Sequence, residues 1–245
     1  MKRRLPILIV LAGLAAWYFL VYKPAHPAFT YAGTVEVDEV DIQPGVASPI
    51  AELMVDEGDV VKVGQRLADL SCPDVRVAMG QAQSDFDRNL RLYKAGSLAA
   101  SNFDRSLYAN RDAQVKLDYC TIDSPINGTV LTVYRRAGEW ARPGQPIMTL
   151  ADLSSVYAYV YVGQPLIARL KLGQAVKCSL PELPGQALNG VLAYIRPDAE
   201  FTPKNVQTRE ERARLVYGVK LRFDNADGTL KPGMSIEAQM PDQKG

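Results

Sequence analysis

The chain has 245 residues, enough for one large domain or two small ones, and 47% of them are apolar, as in an ordinary folding protein. Lys and Arg number 28 against 27 Asp and Glu, so the bulk basic surface that nucleic-acid binding requires is missing. The one histidine, His26 beside Pro27, reads as a loop residue and leaves little material for catalysis or metal binding.

In chain order, Lys2, Arg3 and Arg4 precede an uncharged run from Leu5 to Tyr22. As a helix that run spans roughly 27 Å, close to the thickness of a bilayer core. Positive charge before it keeps the N-terminus cytoplasmic, and Trp17, Tyr18 and Tyr22 gather at the far end as an interfacial belt. Residues 1–28 are therefore expected to form an uncleaved transmembrane anchor, with everything after Lys23 outside the cytoplasm. A cleaved signal peptide is the competing reading; it lacks a small-x-small site before Lys23 and a nearby Cys to take a lipid.

One phrase then occurs twice. "VDEGDVVKVGQRLADLS" carries Gly58, Gly64 and Gln65, and "RRAGEWARPGQPIMTLADLS" carries Gly138, Gly144 and Gln145, an offset of 138 − 58 = 80 residues. At the same offset Ile42 falls on Ile122, Val46 on Ile126, Ile50 on Val130, Leu53 on Val133, Leu67 on Ile147 and Leu70 on Leu150. Apolar, β-branched segments bounded by Gly and Pro are short strands and turns. Two copies make no solenoid; two half-sheets that cannot each bury a face are expected to fold on each other as one small sandwich, from residues 29–72 and 119–153.

Between the copies the texture becomes helical. Val75, Met79, Ala82, Phe86, Leu90 and Tyr93 recur in steps of three and four, the pattern breaks at "KAGSLAAS", and it resumes at Phe103, Leu107, Ala113 and Leu117. Ser101 is a candidate N-cap for the second helix, with Asp104 at its third position. Folding back near Gly96 pairs Phe86 with Leu107, Leu90 with Phe103, Met79 with Ala113 and Val75 with Leu117. Residues 73–118 are thus expected to form an antiparallel hairpin of helices of about 20 residues, reaching roughly 30 Å. Such a pair buries too little to stand alone and needs neighbours.

Residues 154–245 return to strands, "VYAYVYV", "QAVKCSL", "NGVLAYI", "RLVYGVKLRF" and "MSIEAQM", punctuated by turn signals. A small β-barrel is expected, with a strand from 29–41 contributed by the N-terminal side. Cys178, inside "AVKCSL", reads as a buried free thiol. In the charged loop "TPKNVQTREERAR", Thr208 and Glu211 form a capping-box pattern. There Lys204, Arg209 and Arg212 either face lipid head groups or a transporter surface, or form a solvated face. The fold class is therefore mainly β with an α-helical hairpin: a split sandwich, a barrel and an N-terminal transmembrane helix.

"GVASPIAELMVDEGDVVKVGQRLADL", a helical insertion, and "LDYCTIDSPINGTVLTVYRRAGEWARPGQPIMTLADLSSVYAYVYV" resemble the HlyD-type membrane fusion proteins, the periplasmic adaptors of tripartite efflux and secretion systems. "DAEFTPKNVQTREERARLVYGVKLRF" with "LKPGMSIEAQM" is similar to the branch that usually serves ABC-type exporters. The resemblance implies that the sandwich is lipoyl-like and that the protein catalyses nothing and carries no cofactor. It implies partners as well: a permease with its ATPase in the inner membrane, an outer-membrane channel of the TolC type at the hairpin tip, and copies of itself in a ring, commonly of six. Such a protein is anchored in the inner membrane with its bulk in the periplasm. The alternatives are an adaptor that serves an MFS or RND-type pump, and a structural envelope scaffold without a transporter.

Family members that dock on the channel tend to carry an Arg, a Leu four residues on and a Ser seven further. Arg88 and Leu92 match, the third position is Ala99, and Ser101 follows two residues later. Arg88 as a solvated helix charge and Leu92 as a seam residue is the alternative. The hairpin is also shorter than is usual in the family, by similar amounts on both arms, as expected if whole heptads were lost together. Cys72 and Cys120 flank the hairpin with the same position sum as the seam pairs, 72 + 120 = 192. They form either a disulfide in an oxidising periplasm or two buried small residues. An acyl or biotinyl carrier, built from the same half-motifs, would need a modifiable Lys at the turn joining the halves; here the hairpin occupies that turn.

Overall fold

The structure, a computed structural model, describes residues 30–181, 187–201 and 215–240. These divide into two compact units. One comprises Val37–Val156 with Asn225–Thr229; the other takes the strand that ends at Glu36, Tyr157–Asp224 and the segment from Leu230 onward. The strand expected over 29–41 is accordingly divided, β1 (Thr30–Glu36) in the second unit and β2 (Glu39–Ile42) in the first.

The first unit holds the doubled phrase. Its first half supplies β2, β3 (Ser48–Leu53), β4 (Val60–Val61) and β5 (Arg66–Leu70). The second supplies β6 (Thr121–Asp123), β7 (Gly128–Val133), β8 (Trp140–Ala141) and β9 (Met148–Ala151). The 80-residue offset carries β3 onto β7 and β4 onto β8 residue for residue. Two four-stranded sheets result, in the orders β2-β9-β7-β4 and β6-β5-β3-β8. Each sheet has a central pair from one half and both edges from the other, so neither half is a sheet by itself. This corrects the expectation of two half-sheets laid face to face: the halves exchange edge strands. The physical reason is that a central pair alone leaves both outer rows of backbone N–H and C=O groups unpaired, and the other half satisfies them.

The exchange is locked by symmetric turns. Gly58 N–H donates to the Val130 carbonyl and Gly138 N–H to the Ile50 carbonyl, both at 2.8 Å; Val130 and Ile50 N–H return bonds to the carbonyls of Asp59 and Glu139. Gly58 and Gly138 sit at φ 93° and 88°, a left-handed region open to glycine without steric cost, which explains the repeated glycine. Across the pseudo-twofold, Arg136 Nη1 bonds Asp56 Oδ1 at 2.8 Å, joining the two equivalent turns. Between the sheets Ile42, Ile50, Leu67, Leu70, Ile122, Val130, Ile147 and Leu150 form the core, with Val46 and Ile126 packed against it. All six apolar pairs found by the offset touch or belong to this core.

The second unit is a closed six-stranded barrel in the order β1-β10-β13-β12-β11-β14, with β14 pairing back to β1. Its other strands are β10 (Ser155–Gly163), β11 (Ala175–Ser179), β12 (Ala187–Phe201), β13 (Leu215–Asp224) and β14 (Ser235–Gln239). A one-turn helix, α3 (Gln164–Ile167), follows β10; the first unit holds α1 (Pro73–Lys94) and α2 (Ala100–Asp118) between β5 and β6. In β10, Val156, Ala158, Val160 and Val162 are buried while Tyr157, Tyr159 and Tyr161 alternate outward, the period-2 pattern that a filled barrel demands. Gly190 makes room for the Phe223 ring: a Cβ there would lie 2.8 Å from its Cε1.

Candidate functional site

Between β5 and β6 the chain leaves the sandwich as α1 (Pro73–Lys94) and returns as α2 (Ala100–Asp118). At 1.5 Å per residue the longer helix reaches about 33 Å. On α1 the half-buried positions include Val75, Met79, Ala82, Phe86 and Leu90; on α2 Phe103, Ser106, Leu107, Asn110, Ala113 and Leu117 line the seam, with Ser106 and Ala113 buried. Steps of three and four on both helices give the antiparallel pair one continuous seam. Near the tip Tyr93 stacks on Phe103 with centroids 4.7 Å apart, and Phe86 meets the same ring at 5.9 Å.

A polar layer crosses the middle of the seam. Asn110 Nδ2 donates to Gln83 Oε1 at 2.9 Å, and Gln83 Nε2 donates to Asp87 Oδ1 at 3.0 Å. Sequence reading passed over this link, although 83 + 110 = 193 follows the same pairing rule as the apolar pairs. One polar layer in an apolar seam fixes register at some cost in stability. A double-mutant cycle over Gln83→Ala and Asn110→Ala, followed by urea unfolding of the helical signal, is expected to give a coupling of about 1 kcal/mol. A coupling near zero would mean that the apolar steps alone hold the register.

The tip turn is a Schellman motif. Gly96 N–H bonds the Tyr93 carbonyl, Ser97 N–H bonds the Leu92 carbonyl, and Gly96 lies at φ 71°. Ala99 then takes an extended conformation and starts α2, accepting bonds from the N–H groups of Asn102 and Phe103. Ser101 is therefore not the N-cap, and Asp104 lies beyond the first turn. The Schellman turn delivers the chain into helical geometry two residues earlier than a Ser cap would, leaving α2 without a side-chain cap. Of the predicted tip residues, Arg88 and Leu92 lie one turn apart on α1, both exposed, Leu92 by 41%. Arg88 pairs with Asp85. Ala99 and Ser101 are exposed across the turn, so the four residues flank one tip.

At the other end, Cys72 and Cys120 are joined in a disulfide with Cα atoms 6.1 Å apart, resolving the two open readings of this pair. Cys72 is the N-cap of α1 at φ 44°, the only described non-glycine residue with positive φ. Its N–H donates to the buried Ser48 Oγ at 2.8 Å, and Leu70 N–H donates to the Cys120 carbonyl at 2.8 Å. Tyr119 lies against Gly45, where a Cβ would come 2.6 Å from the ring. Cys178, by contrast, is free and buried in the barrel, where desolvation pushes its thiol up to about 11. On the barrel's outer face Lys220 sits 3.4 Å over the Tyr157 ring and Arg196 4.7 Å over the Tyr159 ring, contacts that sequence alone did not suggest.

Lys204, Arg209, Arg212, the capping-box pair and the Leu5–Tyr22 segment lie outside the described residues. Among the described residues no helix is long and apolar enough to cross a membrane.

Comparison with known proteins bears on this architecture directly. Residues 155–244 match the family model described as the CusB-like, beta-barrel domain. A Salmonella arizonae relative, the "UPF0194 membrane protein YbhG", is 24% identical over an alignment covering 97% of this chain and 95% of its own. A MacA-MexA chimeric protein carrying the Pseudomonas aeruginosa MexA alpha-hairpin superposes with a TM-score of 0.74 at 20% identity, over 87% of this chain and 81% of its own. The membrane fusion protein Spr0693 of Streptococcus pneumoniae gives 0.65 at 21% identity, over 88% and 100%. The chain has the fold of a membrane fusion protein.

Within that fold the chain is short. The alignment to the Salmonella relative runs over 317 positions against 245 residues here, so at least 317 − 245 = 72 positions are present only in the relative.

Proposed function

We propose that this chain is a membrane fusion protein, a non-catalytic periplasmic adaptor that holds an inner-membrane transporter against an outer-membrane channel for export. The observation that carries this reading is the insertion of a helical arm at the one turn that joins the two halves of a lipoyl-like sandwich. A carrier protein presents its modified side chain at that turn; here a protruding arm stands in its place and offers a tip for a partner.

In this reading Leu5–Tyr22 anchors the chain in the inner membrane, and Lys204, Arg209 and Arg212 meet the transporter or the head groups. Arg88, Leu92, Ala99 and Ser101 form the contact with a TolC-type channel, and copies assemble as a ring, commonly of six. The transporter is of the ABC type, a permease with its ATPase, on the resemblance of the segment from Asp198 to Met240. A pump of the RND type is the second reading, favoured by the CusB-like description of the barrel.

Cysteine placed at Leu92 or Ser101 tests the tip contact in cells. The native Cys72 and Cys120 are bonded and Cys178 is buried, so the new thiol is the reactive one. Crosslinks to an outer-membrane channel are expected; consistent failure there, with crosslinks to other envelope proteins, would sink the docking. Co-purification with an ATPase-linked permease supports the ABC reading, and with a proton-driven pump the RND reading.

A further inference from the structure

The disulfide at the foot of the arm is asymmetric in its surroundings. Cys72 caps the N-terminus of the 22-residue α1, where unpaired N–H groups carry partial positive charge and stabilise a thiolate. Cys120 follows the C-terminus of α2, and its Sγ lies 3.6 Å from the Lys116 carbonyl oxygen, at the negative end of that helix. Charged groups nearby nearly balance: Asp74 and Arg76 on α1, Asp118 on α2, and Arg66 on β5 paired with Asp123 on β6. The two helix ends therefore decide which sulfur is the better thiolate.

Access is asymmetric too. Both cysteines are buried, at 2% and 3% exposure, but an open pocket of about 390 Å³ has Cys120 in its wall, with Arg66, Arg76, Gln114, Leu117 and Thr121 around it. Cys72 does not line it.

We propose that Cys72–Cys120 is a thiol–disulfide exchange site, a clasp opened by a dithiol reductant that enters through this pocket. The reductant's thiolate attacks Cys120 Sγ and forms a mixed disulfide; Cys72 Sγ leaves with the electron pair of the S–S bond as a thiolate at the helix N-terminus. The reductant's second thiol then attacks its own sulfur in the mixed disulfide and releases Cys120, which takes up a proton. Two electrons pass to the protein, and the reductant becomes a disulfide. A good leaving thiolate and an accessible opposite sulfur are the two conditions for fast exchange in this direction. Opening removes the covalent tie between the feet of α1 and α2, at the base of a seam that is only half-buried. The arm's stiffness is then set by the thiol poise around it, whichever partner its tip meets.

The full chain, folded and in detergent, is treated with reduced glutathione and quenched with excess iodoacetamide, and its peptides are mapped by mass spectrometry. Glutathione is expected on Cys120 and the carbamidomethyl group on Cys72, in about tenfold excess over the reverse arrangement, with Cys178 unlabelled. With dithiothreitol, both cysteines are expected to be freed while the barrel and sandwich amides stay protected from hydrogen exchange, and trypsin cleavage at Arg76 and Lys116 accelerates. Glutathione found on Cys72 would overturn the direction of attack. Reduction that proceeds only as fast as the sandwich unfolds in urea would overturn the site itself. Single variants Cys72→Ala and Cys120→Ala give the second readout: the thiol left at position 72 should alkylate faster at neutral pH than the one left at 120, and equal rates count against the proposal.

Discussion

Replacing Cys72 and Cys120 together with alanine is expected to lower the stability of the sandwich and its arm by about 4 kcal/mol. The bond closes a loop with a sequence separation of 48, and removing it returns that loop-closure entropy to the unfolded chain. Hydrogen exchange at the amides of Ile50 and Val130, which lie in the paired core of the two sheets, reads the change without requiring that the two units unfold together. Alanine is preferred to serine because both positions are buried and a hydroxyl there would need a partner. A second variant separates backbone from bond. Cys72 sits at φ 44°, where a side chain costs roughly 1–2 kcal/mol relative to glycine, so Cys72→Gly with Cys120→Ala should recover about 1 kcal/mol over the double alanine. A loss below 1 kcal/mol in the double alanine would show that the Leu70–Cys120 and Cys72–Ser48 hydrogen bonds hold the feet of the arm without the bond.

The fold was legible where sequence pattern and physical cause coincide. Alternation is strict in β10, β11 and β14 and is broken in β12 and β13, where the pairing register shifts, yet each apolar stretch singled out after residue 153 is a strand, because a filled barrel interior demands an inward side chain at nearly every second position. The 80-residue offset found the equivalent strands because the same turn, with the same glycine conformation, is used twice. What the offset could not give is which half each neighbouring strand comes from. Exchange of edge strands and face-to-face stacking place the same residues in the core, and only backbone pairing distinguishes them. The start of α2 was misplaced for a local reason: Ser101 has the chemistry of a cap, but the Schellman turn at Gly96 determines where the chain re-enters helical geometry. Cys72 and Cys120 were brought together by the seam arithmetic, yet bonding depends on a Cα separation that no spacing rule supplies. At the tip, Arg88 and Leu92 are exposed as docking would require, but exposure carries no information about the partner, and that part of the site is legible only through resemblance.

On the proposed adaptor function, excising the arm is expected to leave the sandwich folded and to abolish export. The Cα atoms of Cys72 and Cys120 are 6.1 Å apart, within the 7 Å span of a β-turn, and β5 and β6 already pair as the two strands of a hairpin. Replacing residues 73–119 with Asn-Gly therefore closes the gap with a two-residue turn suited to antiparallel strands. The core of Leu67, Leu70, Ile147 and Leu150 loses few neighbours, chiefly Val75 and Leu117, so its amides should remain protected from exchange. In cells lacking the native chain, the excised form should fail to restore resistance to exported compounds while still co-purifying with the inner-membrane transporter through the barrel side. Resistance restored in full would show that the arm is not the contact with the channel. A sandwich that unfolds on excision would show instead that the arm supports the fold, which would remove the physical basis for treating it as an insertion evolved to reach a partner. Carrying the Leu92→Asp variant in parallel separates these outcomes, because it leaves the arm and its disulfide in place and charges only the tip.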